Sequence, residues 1–218
     1  MTPPGFSPTV SVLIIDYGLG NLLSLRRAME SIGVRPNVSS DPADIVEADR
    51  IILPGVGSFS EASKSLHEGG FAKSIVAAAE RGVPILGICL GMQVLFDEGH
   101  ENGRSPGLGL LAGTVQRILG EDENSLPRTH IGWRYLNMVA GPTPINKEFQ
   151  VPEGRFYFVH SYGASPSEPS LTRATVLYGE HEIPAIVQKD NILGVQFHPE
   201  KSGDAGLKLV ESFCSTEP

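Results

Sequence analysis

Apolar and polar positions alternate between two periods along the first hundred residues. VSVLIIDYG (10–18) is a continuous β-rich apolar run that ends at Asp16. From about Asn21 to Ile32, Leu22, Leu25, Met29 and Ile32 recur at helical spacing, and Gly33 is a natural stop. VRPNV reads as a short second strand. DRIILPGVGSF (49–59) is a second long apolar run that breaks into a Pro/Gly loop. FAKSIVAAAERG (71–82) reads as a helix with a glycine stop, and VPILGIC (83–89) as a third buried strand, with MQVLFDEG continuing as a helix.

Strand and helix thus alternate as far as about residue 98, which predicts a parallel sheet covered on both faces. Beyond it LGLLAGTVQRI, RFYFVHSYG, TRATVLYG, PAIVQKD and ILGVQFHPE read as strands joined by short polar turns, and KSGDAGLKLVESFCS as a closing helix. HENGRSPGL is the best interior candidate for a surface loop. The expectation is an α/β protein with one domain over residues 10–218, preceded by a loose tail over 1–9. Its central sheet is mostly parallel and flanked by helices, with additional antiparallel strands in the C-terminal half.

The 25 glycines and 17 prolines fall between apolar runs, so they mark tight connections rather than disorder. The net charge of −8 and the lack of a basic stripe argue against nucleic acid as a partner. No segment approaches the roughly 20 apolar residues of a membrane helix. No zinc-ligand spacing is present. Cys89 and Cys214 are the only cysteines. A disulfide between them stays open from sequence, but reduced thiols in a cytoplasmic setting are expected, because the leader MTPPGFSPT has neither a basic start nor an apolar core.

Cys89 lies in Gly87-Ile88-Cys89-Leu90-Gly91, the G-x-S-x-G nucleophile elbow with sulfur in place of oxygen. A strand that turns sharply into a helix crowds positions −2 and +2, which glycine relieves, and it projects the residue at the tip. The helix start favours a thiolate and offers the Leu90 N–H to an oxyanion. The competing reading is a buried core cysteine beside closely packed glycines. His198 and Glu200, two apart in ILGVQFHPE, share one side of an extended segment, with Pro199 keeping His198 out of a helix. Nucleophile, base and orienter follow; an isolated H-P-E would otherwise be a strand end with a solvated glutamate. In LPGVGSF (53–59), Val56 and Gly57 N–H groups complete an oxyanion site, or the stretch is simply a tight turn.

Elbow, Pro-Gly loop and H-P-E in one chain resemble the class I, triad-type glutamine amidotransferases, through G-I-C-L-G-M-Q (87–93) and V-Q-F-H-P-E (195–200). Such a chain is expected to have their flavodoxin-like fold. Pro54-Gly55-Val56-Gly57 departs from the Pro-Gly-Gly of most branches. With D-Y-G-L-G-N (16–21), I-G-W (131–133), F-Y-F-V-H-S-Y (156–162) and H-P-E-K-S (198–202), it resembles the branch whose glutaminase subunit forms a heterodimer with a (β/α)8-barrel cyclase.

The resemblance implies that Cys89 attacks glutamine, His198 transfers protons and Glu200 orients it. Leu90, Val56 and Gly57 would serve the oxyanion. Gly55, Gln93, Ser161 and Tyr162 would bind glutamine, and Asn21, Trp133, His160 and Lys201 would face the partner. It calls for no cofactor and no metal. Trp133 is otherwise a core residue, Lys201 a surface charge, and Cys214 a packing residue of the last helix. Because Val56 is β-branched, its peptide is expected to rest with its carbonyl, not its N–H, toward the site, giving weak glutaminase activity without the partner. The alternatives are a subunit serving anthranilate, aminodeoxychorismate or pyridoxal phosphate synthesis, and a catalytically silent binding module.

Overall fold

The computed structural model describes residues 10–119, 126–139, 149 and 151–215. The expected tail over 1–9 lies outside them. The first half of the chain runs β1 (Val12–Ile15), α1 (Leu22–Ser31), β2 (Asn37–Ser39), β3 (Arg50–Leu53), α2 (Phe59–Glu68), α3 (Phe71–Glu80), β4 (Ile85–Ile88), α4 (Leu90–Gln93), β5 (Phe96–Gly99) and β6 (Ser105–Pro106). Then follow β7 (Leu111–Arg117), β8 (His130–Tyr135), β9 (Asn137–Met138), β10 (Arg155–His160), β11 (Tyr162–Pro166), β12 (Thr172–Tyr178), β13 (His181–Lys189), β14 (Ile192–Val195) and α5 (Gly203–Ser215).

The main sheet has eight strands in the order β2, β1, β3, β4, β14, β13, β12, β9. Its first five are parallel and its last three antiparallel. The parallel part has the flavodoxin-like order, with the last strand of the chain in fifth place. β1 explains the two-sided burial: Leu13 and Ile15 enter one core with α2 and α3, while Val12 and Ile14 enter the other with α1 and α5. A four-stranded sheet (β11, β7, β5, β6) and the β8–β10 ribbon form the wall beyond.

Three expectations need correction. The helix after Cys89 lasts one turn, and Phe96–Gly99 is a strand paired with β6 and β7, so MQVLFDEG does not continue as a helix. Phe59–Glu68 is a helix that the apolar pattern did not single out. Glu200 is not on an extended segment: Pro199–Lys201 is a 3-10 turn, although His198 itself is extended as Pro199 requires.

Candidate active site

β4 and β14 lie side by side in parallel, with Gly87 opposite Gly194 and Ile88 opposite Val195. This pairing brings two stretches a hundred residues apart to one sheet edge. The Cys89 N–H extends the ladder, donating to the Val195 carbonyl at 2.8 Å. Cys89 then turns to φ 54°, ψ −109°, a conformation that costs a non-glycine residue about 1–3 kcal/mol.

Its flanking glycines are sterically required. A Cβ on Gly87 would lie 2.7 Å from the Gly91 carbonyl oxygen, and one on Gly91 only 1.8 Å from that of Leu53. Gly91 thus makes room for β3 as well as for the elbow.

His198 is 2% exposed and is anchored by its backbone N–H, which donates to the Tyr157 carbonyl at 2.9 Å. Its Nδ1 lies 2.8 Å from Glu200 Oε1, with both side chains buried. Burial opposes a charged imidazole here. Hydrogen bonding and charge from Cys89 and Glu200 outweigh it, and the His198 pKa is pushed up to about 10. A cysteine beside an imidazole that leans on a carboxylate is the arrangement of an activated nucleophile.

Cys89 and His198 meet a cleft of about 450 Å³, lined among others by Val56, Gly57, Leu90, Gln93, Ser161 and Tyr162, while Glu200 lines a separate small cavity. That volume suits a small ligand. Gln93 is 5% exposed, and its amide nitrogen donates to the Tyr162 carbonyl at 2.8 Å and to Gln196 Oε1 at 3.0 Å. Its oxygen is therefore what it offers a ligand. Ser161 Oγ is tied to Thr129 Oγ1 at 2.8 Å. Gly57 takes φ 108°, open to glycine alone without strain. Gly55 packs so tightly that a Cβ would lie 2.5 Å from the Tyr17 hydroxyl. That hydroxyl is buried and has no hydrogen-bond partner among the described residues, and burial, then the Cys89 charge, holds its pKa above the usual range.

The Val56 N–H does not serve the oxyanion site in this state. It donates to the Leu19 carbonyl at 3.3 Å. Leu90, the first residue of α4, begins the helix whose leading N–H groups have no partner within the helix.

The expected partner-facing residues separate. Trp133 is 43% exposed on the outer face of β8, which excludes the core reading, and Lys201 is exposed. Asn21 caps α1, accepting from Ser24, and lines a small cavity behind Glu200 and Gly55. His160 is 6% exposed, lines the cleft, and its Nε2 meets His130 Nδ1 at 3.0 Å.

Among the cleft residues that the sequence reading did not assign, two carry charged side chains. Glu101, from the HENGRSPGL loop, accepts from the Phe59 N–H at 2.7 Å and lines the cleft. Arg117 lines it too, with its guanidinium 5.2 Å over the Tyr162 ring. Neither sits in a local motif; only the β7–β11 pairing and the loop's return bring them here.

The family described as Glutamine amidotransferase class-I matches residues 13–215, and the chain belongs to that family. Its curated relatives narrow the membership. It is 46% identical over 204 residues to the imidazole glycerol phosphate synthase subunit HisH of Geobacillus sp. (strain WCH70), covering 93% of this chain and 95% of that one. It is 44% identical to the same-named subunit of Thermosynechococcus vestitus, covering 94% and 96%. These near-full-length identities place it among the HisH subunits. Two solved structures share the fold: PurLQS from Thermotoga maritima (TM-score 0.71, 22% identity, covering 94% of this chain and 97% of that one) and the glutaminase domain of Trypanosoma brucei CTPS (TM-score 0.64, 14% identity, 96% of each).

Proposed function

We propose that this chain is the glutaminase subunit of an imidazole glycerol phosphate synthase and works through Cys89, His198 and Glu200. The Cys89 thiolate attacks the side-chain amide carbon of glutamine. The oxyanion forms beside the Leu90 N–H. His198 gives a proton to the departing ammonia, leaving a thioester. His198 then takes a proton from water, which releases glutamate and restores the Cys89 thiolate beside a protonated His198. Glu200 holds the imidazole in place throughout. One observation carries this reading: a cysteine at the tip of a strained turn, next to a buried His–Glu pair, opens on a single cleft.

The cleft also supports glutamine as substrate. Gln93 Oε1 suits the side-chain amide, Glu101 the α-amino group, and the strand start at Ser161–Tyr162, beside Arg117, the α-carboxylate. Ammonia passes to a HisF-type (β/α)8-barrel cyclase. There it reacts with a phosphorylated ribulosyl intermediate to give imidazole glycerol phosphate, for histidine biosynthesis, and an aminoimidazole carboxamide ribotide. Ile131, Trp133 and Tyr135, exposed on alternate positions of β8, are suited to that partner, with Lys201 alongside. Free thiols at Cys89 and Cys214 suit the cytoplasm as the working compartment.

Activity is gated at Val56. While its N–H is held by Leu19, one oxyanion donor is missing, and the loaded partner favours the turned peptide. The test is glutamine turnover with and without the cyclase and its ribulosyl ligand, repeated with Cys89→Ala. Slow turnover alone, fast turnover in the loaded complex and none with Cys89→Ala are expected. Full turnover by the isolated chain refutes the gate. Undiminished turnover by Cys89→Ala refutes the nucleophile.

A further inference from the structure

Gln196 is wholly buried one residue beyond β14, and nothing in the reaction above uses it. It stands two residues before His198, where the chain bends beyond the end of β14. His198 brings an imidazole to Cys89. Gln196 brings an amide, whose Nε2 lies 3.6 Å from Cys89 Sγ.

The amide's two ends are chemically opposite, so its orientation decides what the sulfur meets. Neighbouring groups settle that orientation. The Tyr162 carbonyl oxygen can only accept, and it lies 2.8 Å from the Gln93 amide, which must therefore present its nitrogen. That same nitrogen's other partner, 3.0 Å away, must also accept, so it is Gln196 Oε1. The Gln196 NH2 is then left facing sulfur. The Tyr162 carbonyl also meets His160 Nδ1 at 2.9 Å, which makes that nitrogen the protonated one and leaves His160 Nε2 to accept from His130. One backbone oxygen thereby fixes two amides and two imidazoles.

We infer that Gln196 is a second donor to the Cys89 thiolate, and that Gln93 is the positioning residue that keeps its NH2 turned toward the sulfur. A donor to the charged form favours that form, so Gln196 adds to the thiolate stabilisation supplied by His198 and restricts the sulfur to the line of attack. Gln93 also lines the substrate cleft, so glutamine binding and nucleophile orientation share one network. The inference rests on the reading of Cys89 as nucleophile.

The experiment follows the rate of Cys89 alkylation by iodoacetamide against pH in the full chain. Cys89→Ala supplies the background from Cys214. Gln196→Met keeps the length and removes the donor. Gln196→Glu keeps the shape and sets a carboxylate against the sulfur. Gln93→Met leaves Gln196 in place and removes its lock. Each variant is expected to move the thiolate midpoint upward, Gln196→Glu by the most, Gln196→Met by less and Gln93→Met by the least. A displacement of about half to one pH unit is expected for Gln196→Met, about a three- to tenfold change in thiolate fraction below the midpoint.

A purely structural role would lower the melting temperature and leave the midpoint in place. Midpoints equal to wild type in folded Gln196→Glu and Gln93→Met would overturn the inference, even if Gln196→Met failed to fold. Wild-type Cys89 reacting no faster than Cys214 would instead overturn the underlying reading of the nucleophile.

Discussion

Gly91→Ala sets two effects against each other. Gly91 lies within α4 and not in the left-handed region, so an alanine there suits the local backbone. Helix propensity alone would stabilise the variant by about 1 kcal/mol. Its Cβ would, however, fall 1.8 Å from the Leu53 carbonyl oxygen and 2.8 Å from its carbon. Ordinary contact begins near 3.4 Å, so two backbones must separate by about 1.6 Å. Neither side yields easily. Leu53 ends β3 and is paired with Gly87 of β4, while the elbow is tied to β14 through Cys89. Overpacking costs about 1–3 kcal/mol, with a rigid backbone neighbour at the upper end. The steric effect wins by about 2 kcal/mol, or a fall of about 4–8 °C in melting temperature for a chain of this size. Because the displaced turn carries Cys89, glutaminase activity per folded molecule should fall at least tenfold. Calorimetry and turnover on the same sample check both. A melting temperature at or above wild type would refute the steric argument.

Val56→Gly removes the β-branch while keeping the N–H, and should raise partner-free glutamine turnover about two- to tenfold, the range expected when a bias near one weak hydrogen bond is lost; an unchanged basal rate would refute the gate. Glu101→Ala should raise the KM for glutamine about tenfold or more with a smaller effect on kcat, measured by steady-state kinetics. The buried His130 and His160 have pKa values pushed down to about 4, mainly by burial. The folded state holds them neutral, so they leave stability unaffected above pH 6.5 and reduce it as pH falls from 6.5 toward 4, where the unfolded chain takes up protons first. His198 acts in the opposite sense, its stabilisation complete below about pH 6.5 and lost as pH rises through about 10. Urea midpoints at pH 7 and pH 5 should therefore fall in acid; equal midpoints would show that the His130–His160 pair titrates as in water.

The elements of the candidate site were legible because their chemistry is local. An elbow needs glycines at fixed offsets, and H-P-E carries its orienter two residues away. The parallel half of the sheet was legible because strands buried on both faces read as unbroken apolar runs. Residues assembled by distant pairing were not. Glu101 is a lone acid in a turn-rich loop, and Gln196 is one polar position in a motif dominated by its neighbours. α2 did carry a signal: Ser58 caps its start, and Glu61 reaches back to the Ser58 hydroxyl at 2.9 Å, a side-chain pairing related to the capping box. Its apolar face, Phe59, Ala62 and Leu66, has helical spacing, but it follows a Pro/Gly loop that drew attention to chemistry instead. The end of α4 was misjudged because Val94, Leu95 and Phe96 are equally suited to a buried helix or strand, and only pairing with β7 decides.

The place of β14 in the sheet also bears on how the chain is made. Residues 85–93 leave the ribosome long before residues 192–200, and the two must pair before sulfur meets imidazole. A growing chain therefore carries Cys89 as an unassisted thiol, with neither His198 nor Gln196 beside it. Chemical potency is conferred by the last strand to join, so unfinished copies should be inert toward glutamine and should meet electrophiles only as an ordinary thiol does.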